Sequence, residues 1–366
     1  MATIPVPPTP VSPVDMVVIG VDTHSDFHVA AALSSIGRML GSKSFATTPS
    51  GLAELLLWSK SHGSVSAFGI EGTGSYGAQL TRALQSHGQE VVEVDRPDRK
   101  ARRLTGKDDH LDAEAAARAV LSGRASTIPK GRGGQVEAIR TLRVARRTAV
   151  SGRTAAMNQL KALLVSAPGD LREQLRGLTA GKLVQTSSRL RPGDDLAQPL
   201  NATKYAMREI AQRHEFLTAQ LKRLDAALGE LVAAAAPALI ARFAIGTDTA
   251  GALLVAAGDN PERLRSESSF AHLCGVAPLP CSSGKNAGRY RLNRGGDHRA
   301  NNALWRIVLV RMGTDPHTKN YVARRITQGM SKPEIMRCLK RYVAREVYAA
   351  LNDPTTLQAV QPLDKL

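Results

Sequence analysis

The chain has 366 residues and a formal net charge of +17, a balance that points to phosphate-bearing partners such as nucleic acid. Its 43% hydrophobic share can build cores for roughly two or three domains, while a 4% aromatic share leaves phosphate contacts, rather than base stacking, as the main source of affinity. Three cysteines without a C-x-x-C pair exclude a disulfide framework and a cysteine zinc site, and the lack of an apolar run of about 18 residues excludes a transmembrane helix.

Residues 1–14 read as a flexible proline-rich tail, without the basic and apolar regions of a signal peptide. Met16–Val21, His28–Leu33 and Met39–Phe45 read as strands, with Ser-Ser-Ile-Gly (34–37) turning between the second and third. Thr48-Pro49-Ser50 opens a helix that carries Leu52, Leu55, Leu56 and Trp58 at helical spacing. Ser64–Ile70 is a fourth strand ending at Glu71, residues 75–87 are helical, and Glu90–Val94 is a fifth strand. An antiparallel meander followed by alternating units predicts a mixed α/β sheet.

Residues 96–107 form a basic connector, and "DDHLDAEAAARAVL" a helix with acids at its start and alanines through its body. Gln135–Val165 reads as one long helix. Its Arg140, Arg143, Arg146, Arg147 and Arg153 face only Glu137, which favours a nucleic-acid-binding face over a merely solvated one. Residues 178–200 read as loop, with "RLRPGDD" as the breaker. Residues 202–235 are helical. Met207, Ile210, His214, Leu217, Leu221, Leu224, Leu228 and Leu231 form a heptad-like seam, used either within the chain or as a coiled coil between protomers. Residues 239–278 carry two short helices around Gly246–Thr249, a helix-hairpin-helix-like unit of the kind that offers backbone N–H groups to phosphate. Residues 298–313 and 331–351 are basic helices.

Four carboxylates stand where such a sheet would gather them. Asp22 ends the first strand, Glu71 ends the fourth, and Asp109 and Asp112 lie one turn apart on the following helix. Clustered acids repel unless a divalent cation joins them. Mg²⁺ takes oxygen ligands and keeps waters for phosphate, and paired ions can serve both sides of a phosphodiester. Asp108 competes with Asp109, since it lies four residues before Asp112. His24, Asp26 and His28 read as hairpin surface residues rather than ligands.

The loop "CSSGKNAGRYRLNRGG" (281–296) sets two serines beside a glycine among basic residues. A serine needs activation to attack phosphate. Lys285, Arg289, Arg291, Arg294 and Arg299 could neutralise charge developing on phosphate oxygens. By itself the loop reads as a basic phosphate-contact loop, and an upstream metal site turns it into a candidate nucleophile loop.

"GVDTH" (20–24), "GIEGTGSY" (69–76), "KDDHLDAEAAAR" (107–118) and "GVAPLPCSSGKNAGRYRLNRGG" (275–296) together resemble the DEDD transposases of bacterial insertion sequences, the IS one-ten family, over residues 16–330. The resemblance implies a RuvC-like, ribonuclease-H-type α/β domain at 15–125. It implies a basic helix and coiled-coil region at 126–236 and a mostly α transposase domain at 237–366. It implies Asp22, Glu71, Asp109 and Asp112 as a catalytic tetrad binding Mg²⁺, with Mn²⁺ as the alternative. Ser283, before Gly284, would be the nucleophile, with Ser282 the adjacent alternative. The implied reaction is cutting and rejoining of DNA through a covalent phosphoserine. The implied partners are donor and target DNA, a non-coding bridge RNA, and further copies of the chain as a homodimer assembling to a tetramer. The implied location is the bacterial cytoplasm, at the nucleoid. The sequence departs from the family pattern in the doubled Asp108-Asp109 and in Cys281 before the serines.

Three other readings compete. A metal-dependent structure-specific nuclease, such as a junction resolvase, would use water as nucleophile. An actin-like ATPase would explain "GVDTH" and "GTGSY" as phosphate loops, but residues 120–366 show no second strand–Asp–Gly unit. A non-catalytic RNA-binding scaffold would leave the carboxylates unexplained.

Overall fold

The computed structural model describes residues 16–94, 108–280, 290–293 and 295–353. The proline-rich tail, the basic connector at 96–107 and most of the serine loop, including Ser282, Ser283, Lys285, Arg289 and Arg294, lie outside the described residues. The chain divides into two compact units. One holds the described residues up to Gly134 together with Ala257–Arg265, and the other holds Gln135–Ala256 and the described residues from Ser266 onward.

The first unit is built on a five-stranded sheet of order β3-β2-β1-β4-β5, from β1 (Met16–Thr23), β2 (Phe27–Ser34), β3 (Met39–Ala46), β4 (Ser64–Glu71) and β5 (Val91–Val94). β1, β2 and β3 pair antiparallel as a meander, while β4 runs parallel to β1 and β5 parallel to β4. This is the mixed sheet expected from the strand–helix alternation. α1 (Pro49–Ser61) starts where the sequence signals it: Thr48 accepts a hydrogen bond from Gly51 N, and Pro49 sits in the first turn.

The two faces of the sheet are covered differently. Ile19, Val21, Phe68 and Ile70 pack with Leu55 of α1 and with Leu80 and Leu84 of α2 (Ala78–Ser86). Each such buried side chain stabilises the unit by about 1.5–3 kcal/mol. The residues between them in the alternation, Val18, Val29, Ala31 and Leu33, meet Ala113 and Ala117 of α3 (Asp109–Leu121). Gly20 and Gly69 are register partners on β1 and β4. A Cβ at Gly20 would stand 2.0 Å from the Ala113 carbonyl oxygen, and one at Gly69 would stand 2.9 Å from that of Ala116. The paired glycines and the alanines of α3 therefore let helix backbone rest almost directly on strand backbone.

The second unit is helical. α4 (Gln135–Ser166) and α7 (Pro199–Ala235) form a long antiparallel pair, with α5 (Gly169–Leu175) and α6 (Ala180–Ser187) packed at its end through Leu171, Leu175, Leu183 and Val184. α6 corrects the reading of 178–200 as loop. Its helical signal is only one apolar pair, and the core shared with Leu160 and Met207 supplies the rest. The heptad seam of α7 is used within the chain. Gln135 donates to the Leu231 carbonyl (3.2 Å), Arg146 pairs with Asp225, and Leu217 covers Gly152.

Short helices α8 (Pro237–Ile240), α9 (Thr247–Ala257) and α10 (Glu267–Leu273) follow, then the β6–β7 ribbon (Pro278–Pro280 with Tyr290–Leu292). α11 (His298–Thr314), α12 (Pro316–Thr327) and α13 (Lys332–Leu351) end the described chain. α12 was not expected, although Asp315 and Pro316 carry its start signal: Asp315 accepts from Thr318 N at 2.9 Å. Among the described residues no helix is long and apolar enough to cross a membrane.

Candidate functional site

The carboxylate centre follows from strand alternation. In Gly20-Val21-Asp22 and Gly69-Ile70-Glu71 the acid stands two residues after the glycine, so it shares the face that the glycine leaves open for α3. Val21 pairs in register with Ile70, which brings Asp22 and Glu71 level at the ends of adjacent parallel strands. The Thr23 hydroxyl donates to the Glu71 carbonyl oxygen at 2.9 Å and ties the two strand ends together.

α3 enters the same place with its N-terminus. Asp108 is the N-cap, its carboxylate accepting from His110 N at 2.8 Å. Asp109 and Asp112 stand on the first turn, where the helix dipole favours negative charge. Asp22 and Asp112 are 9% and 7% exposed. Burial pushes the Asp22 carboxyl above its ordinary value. Asp112 and Asp109 push it further the same way, against the opposing pull of His24.

His24 completes the cluster. Its Nε2 lies 3.2 Å from Asp22 Oδ2 and 3.2 Å from Asp109 Oδ2. Asp22, His24 and Asp109 offer ligand atoms that all lie within 4.8 Å of one another, a set that could hold a metal ion. His24 stands in the hairpin turn between β1 and β2, as expected, and that turn also folds its partly exposed ring back onto the acids. A histidine two residues after the strand-end acid was the available signal. Carboxylates that raise the cost of ionising one another fit a divalent cation, because oxygen donors are what such an ion takes. His28 of β2 is buried with its Nδ1 unpartnered, and burial followed by His24 lowers its pKa. Glu93 of β5 is register partner to Ile70 and accepts from the Thr73 hydroxyl at 2.7 Å, apart from the acidic face.

The second unit brings arginines together. Arg140, Arg143, Arg146 and Arg147 of α4 line a cleft of about 370 Å³ with Arg299 and Arg306 of α11. Here the sequence reading needs a second correction, since these arginines do not face Glu137 alone. Glu137 pairs with Arg140 at 2.6 Å, but Asp248 on the first turn of α9 pairs with Arg143 (2.8 Å), Arg146 (3.5 Å) and Arg306, and Asp225 of α7 pairs with Arg146. Asp248 is partly buried, which by itself would raise its carboxyl. The neighbouring arginines outweigh that and hold it below its ordinary value. Arg153 lies outside the cleft lining, within charge reach of His214. Arg291, on β7, is exposed and lines a different cavity with Arg337 and Arg341.

Two stretches of the chain match known transposase domains. Residues 19–167 match a DEDD-type transposase domain of IS110 elements, and residues 238–323 match the transposase domain of the IS116/IS110/IS902 family. The chain is 27% identical over 145 residues to an insertion element IS110 uncharacterized 43.6 kDa protein of Streptomyces coelicolor, covering 39% of this chain and 36% of that protein. It is 30% identical over 100 residues to an insertion element IS900 uncharacterized 42 kDa protein of Mycobacterium paratuberculosis, covering 27% of this chain and 25% of that one. The matched stretches thus span about a third and a quarter of these relatives' own lengths. The carboxylate centre falls within the first matched stretch and the cleft's α9 and α11 within the second, so both lie in stretches similar to transposase domains of IS110-type elements.

Proposed function

We propose that the chain is an insertion-sequence transposase that cuts and rejoins DNA through a phosphoserine intermediate. The observation that carries this reading is the convergence of Asp22, Asp109 and His24, with Asp112 in electrostatic reach of Asp22, at the strand-end edge of a domain matched to DEDD transposases. The sheet order β3-β2-β1-β4-β5 supports a RuvC-like, ribonuclease-H-type fold for this unit.

Asp22, Glu71, Asp109 and Asp112 would hold Mg²⁺ or Mn²⁺, with His24 beside them. Such an ion, when bound, polarises a phosphodiester and offsets its developing charge. The carboxylates orient that chemistry, and the close-packed glycine–alanine seam below keeps them from spreading apart. Ser283 is the nucleophile. Its Oγ forms a bond to phosphorus as one P–O bond of the DNA strand breaks, so the phosphodiester energy is kept in the protein–DNA link. Attack on that link by a hydroxyl of the incoming strand restores a phosphodiester and frees the serine. Arg140, Arg143, Arg146, Arg147, Arg153, Lys285, Arg289, Arg291, Arg294 and Arg299 contact nucleic acid, by phosphate neutralisation rather than base reading. A bridge RNA pairs with donor and target DNA, and a dimer assembling to a tetramer completes the sites.

The test is a trapping assay. Protein, Mg²⁺, the element's flanking RNA and labelled junction DNA are incubated, denatured and resolved. The reading expects a labelled protein adduct that is lost in Ser283→Ala and Asp22→Asn and kept in Ser282→Ala. Cleaved DNA without any adduct would make water the nucleophile and the protein a metal-dependent nuclease.

A further inference from the structure

The arginine cleft contains its own anion. Six arginines and two aspartates line it. One of the aspartates, Asp297, is committed to capping α11, where it accepts from Arg299 N (2.8 Å) and Ala300 N (3.0 Å). Among the described residues Asp248 is therefore the one lining carboxylate that meets guanidinium groups, and it meets three of them.

Those three are held differently. Arg143 is 19% exposed and also donates to the Asp248 backbone carbonyl at 2.6 Å, a structural tie that fastens α4 to α9. Arg146 has a second partner in Asp225. Arg306 is 48% exposed, and among the described residues Asp248 is its sole ion-pair partner. Arg147 and Arg299 are exposed and have no ion pair among the described residues.

We propose that Asp248 is an internal counter-ion standing in for a nucleic-acid phosphodiester, and that the backbone of a bound duplex takes Arg306 and Arg146 from it. This rests on the reading that the chain acts on nucleic acid. The chemistry of exchange is direct: a phosphodiester carries one negative charge and two free oxygens, so it can accept the same paired guanidinium hydrogen bonds as a carboxylate. Because Arg306 and Arg146 must each leave a partner, a lone anion gains little from them. A backbone that engages Arg147, Arg299 and Arg306 together gains enough. Asp248 thereby sets a threshold that favours a string of phosphates over single anions.

The test measures binding of a short mixed-sequence DNA duplex, and of its RNA counterpart, over a KCl series by fluorescence polarisation. Asp248→Asn should bind about tenfold tighter at fixed salt and steepen log K against log salt by about 0.9 for each further phosphate neutralised. Asp194→Asn removes a carboxylate from an exposed loop of the same unit and should change affinity by about twofold or less. Arg306→Gln, half-exposed and safe for folding if Asp248→Asn proves not to be, should weaken binding by about tenfold and flatten the slope by about one. The proposal is overturned if Asp248→Asn binds no tighter than Asp194→Asn, or if Arg306→Gln leaves affinity and slope unchanged. Tightening for one duplex alone identifies the occupant as DNA or RNA. Wild-type protein that binds neither duplex would overturn the proposed function as well, whereas wild-type binding without the Asp248 response would overturn this inference alone.

Discussion

The two units concentrate charge of opposite sign and treat it in opposite ways. In the first, Asp22, Asp109 and Asp112 meet at a partly buried edge, with the His24 ring nitrogen 3.2 Å from Asp22 and from Asp109. In the second, arginines meet in an open cleft with Asp248 already seated among them. The acidic cluster offers ligand atoms that could hold a cation from outside. The basic cluster is partly neutralised from inside and admits an outside anion only by exchange. The difference follows from the sign of the neighbours: like charges beside Asp22 add to burial in raising its pKa, while the arginines around Asp248 lower its pKa despite burial.

The comparison breaks most sharply at Asp22. Asp22→Asn should reduce Mg²⁺-dependent strand cutting by roughly a thousandfold or more while leaving duplex binding intact, read by single-turnover cleavage beside polarisation. Loss of both together would mean that the two centres are not separable. Next in size is stabilisation by the ion itself. Mg²⁺ at about a hundred times its dissociation constant should stabilise the wild type by about 2.7 kcal/mol, seen as a rise in Tm. Asp22→Asn should show no such rise. It should also melt higher than the wild type without metal, because one repelling charge is gone.

Gly20→Ala asks whether backbone contact, rather than acid identity, makes the centre. A Cβ there meets the Ala113 carbonyl at 2.0 Å. The clash should cost about 1–3 kcal/mol and lower metal affinity by calorimetry, although every carboxylate remains. Normal metal affinity in a folded Gly20→Ala protein would show that α3 can shift without disturbing the site.

The smallest effect sharpens the basic side. The Asp248 carboxyl is held below its ordinary value of 3.8 in the folded protein. Its ion pairs therefore contribute fully above about pH 4, and the contribution is lost as pH falls through the lower folded value. The stability advantage of wild type over Asp248→Asn should be constant near neutrality and shrink on acidification, measured as Tm against pH. An advantage that grew in acid would reverse the assigned sign.

What the sequence alone determined is whatever repeats over short intervals. The five strands, α1 and α3 could be placed from alternation, from Thr48-Pro49 and from the Asp-rich start of an alanine helix. The carboxylate pair Asp22 and Glu71 was legible because each ends a strand, and Asp109 with Asp112 because they share a helix turn. The glycine two residues before each strand acid was also in plain view, although its meaning was not. That Gly20 and Gly69 lie side by side under α3 depends on β1 pairing parallel with β4, a register that joins residues 49 positions apart.

Tertiary structure decided the rest, for the same reason each time. His24 joins the acids because a turn returns it there. Asp108 caps while Asp109 faces the centre because the helix begins one residue later than the doubled acid leaves open. α6 exists because a core accepts Leu183 and Val184. The α7 seam is spent on α4 of the same chain, a choice between chains that heptad spacing cannot make. The arginines of α4 seemed nearly unopposed when counted along their own helix, yet Asp225 and Asp248 stand 79 and 102 positions beyond Arg146 and reach it through space. Periodicity is a local property of the chain and survives in the sequence. Charge compensation acts over a few ångströms in space, and only the folded chain says which distant residues fall within that range.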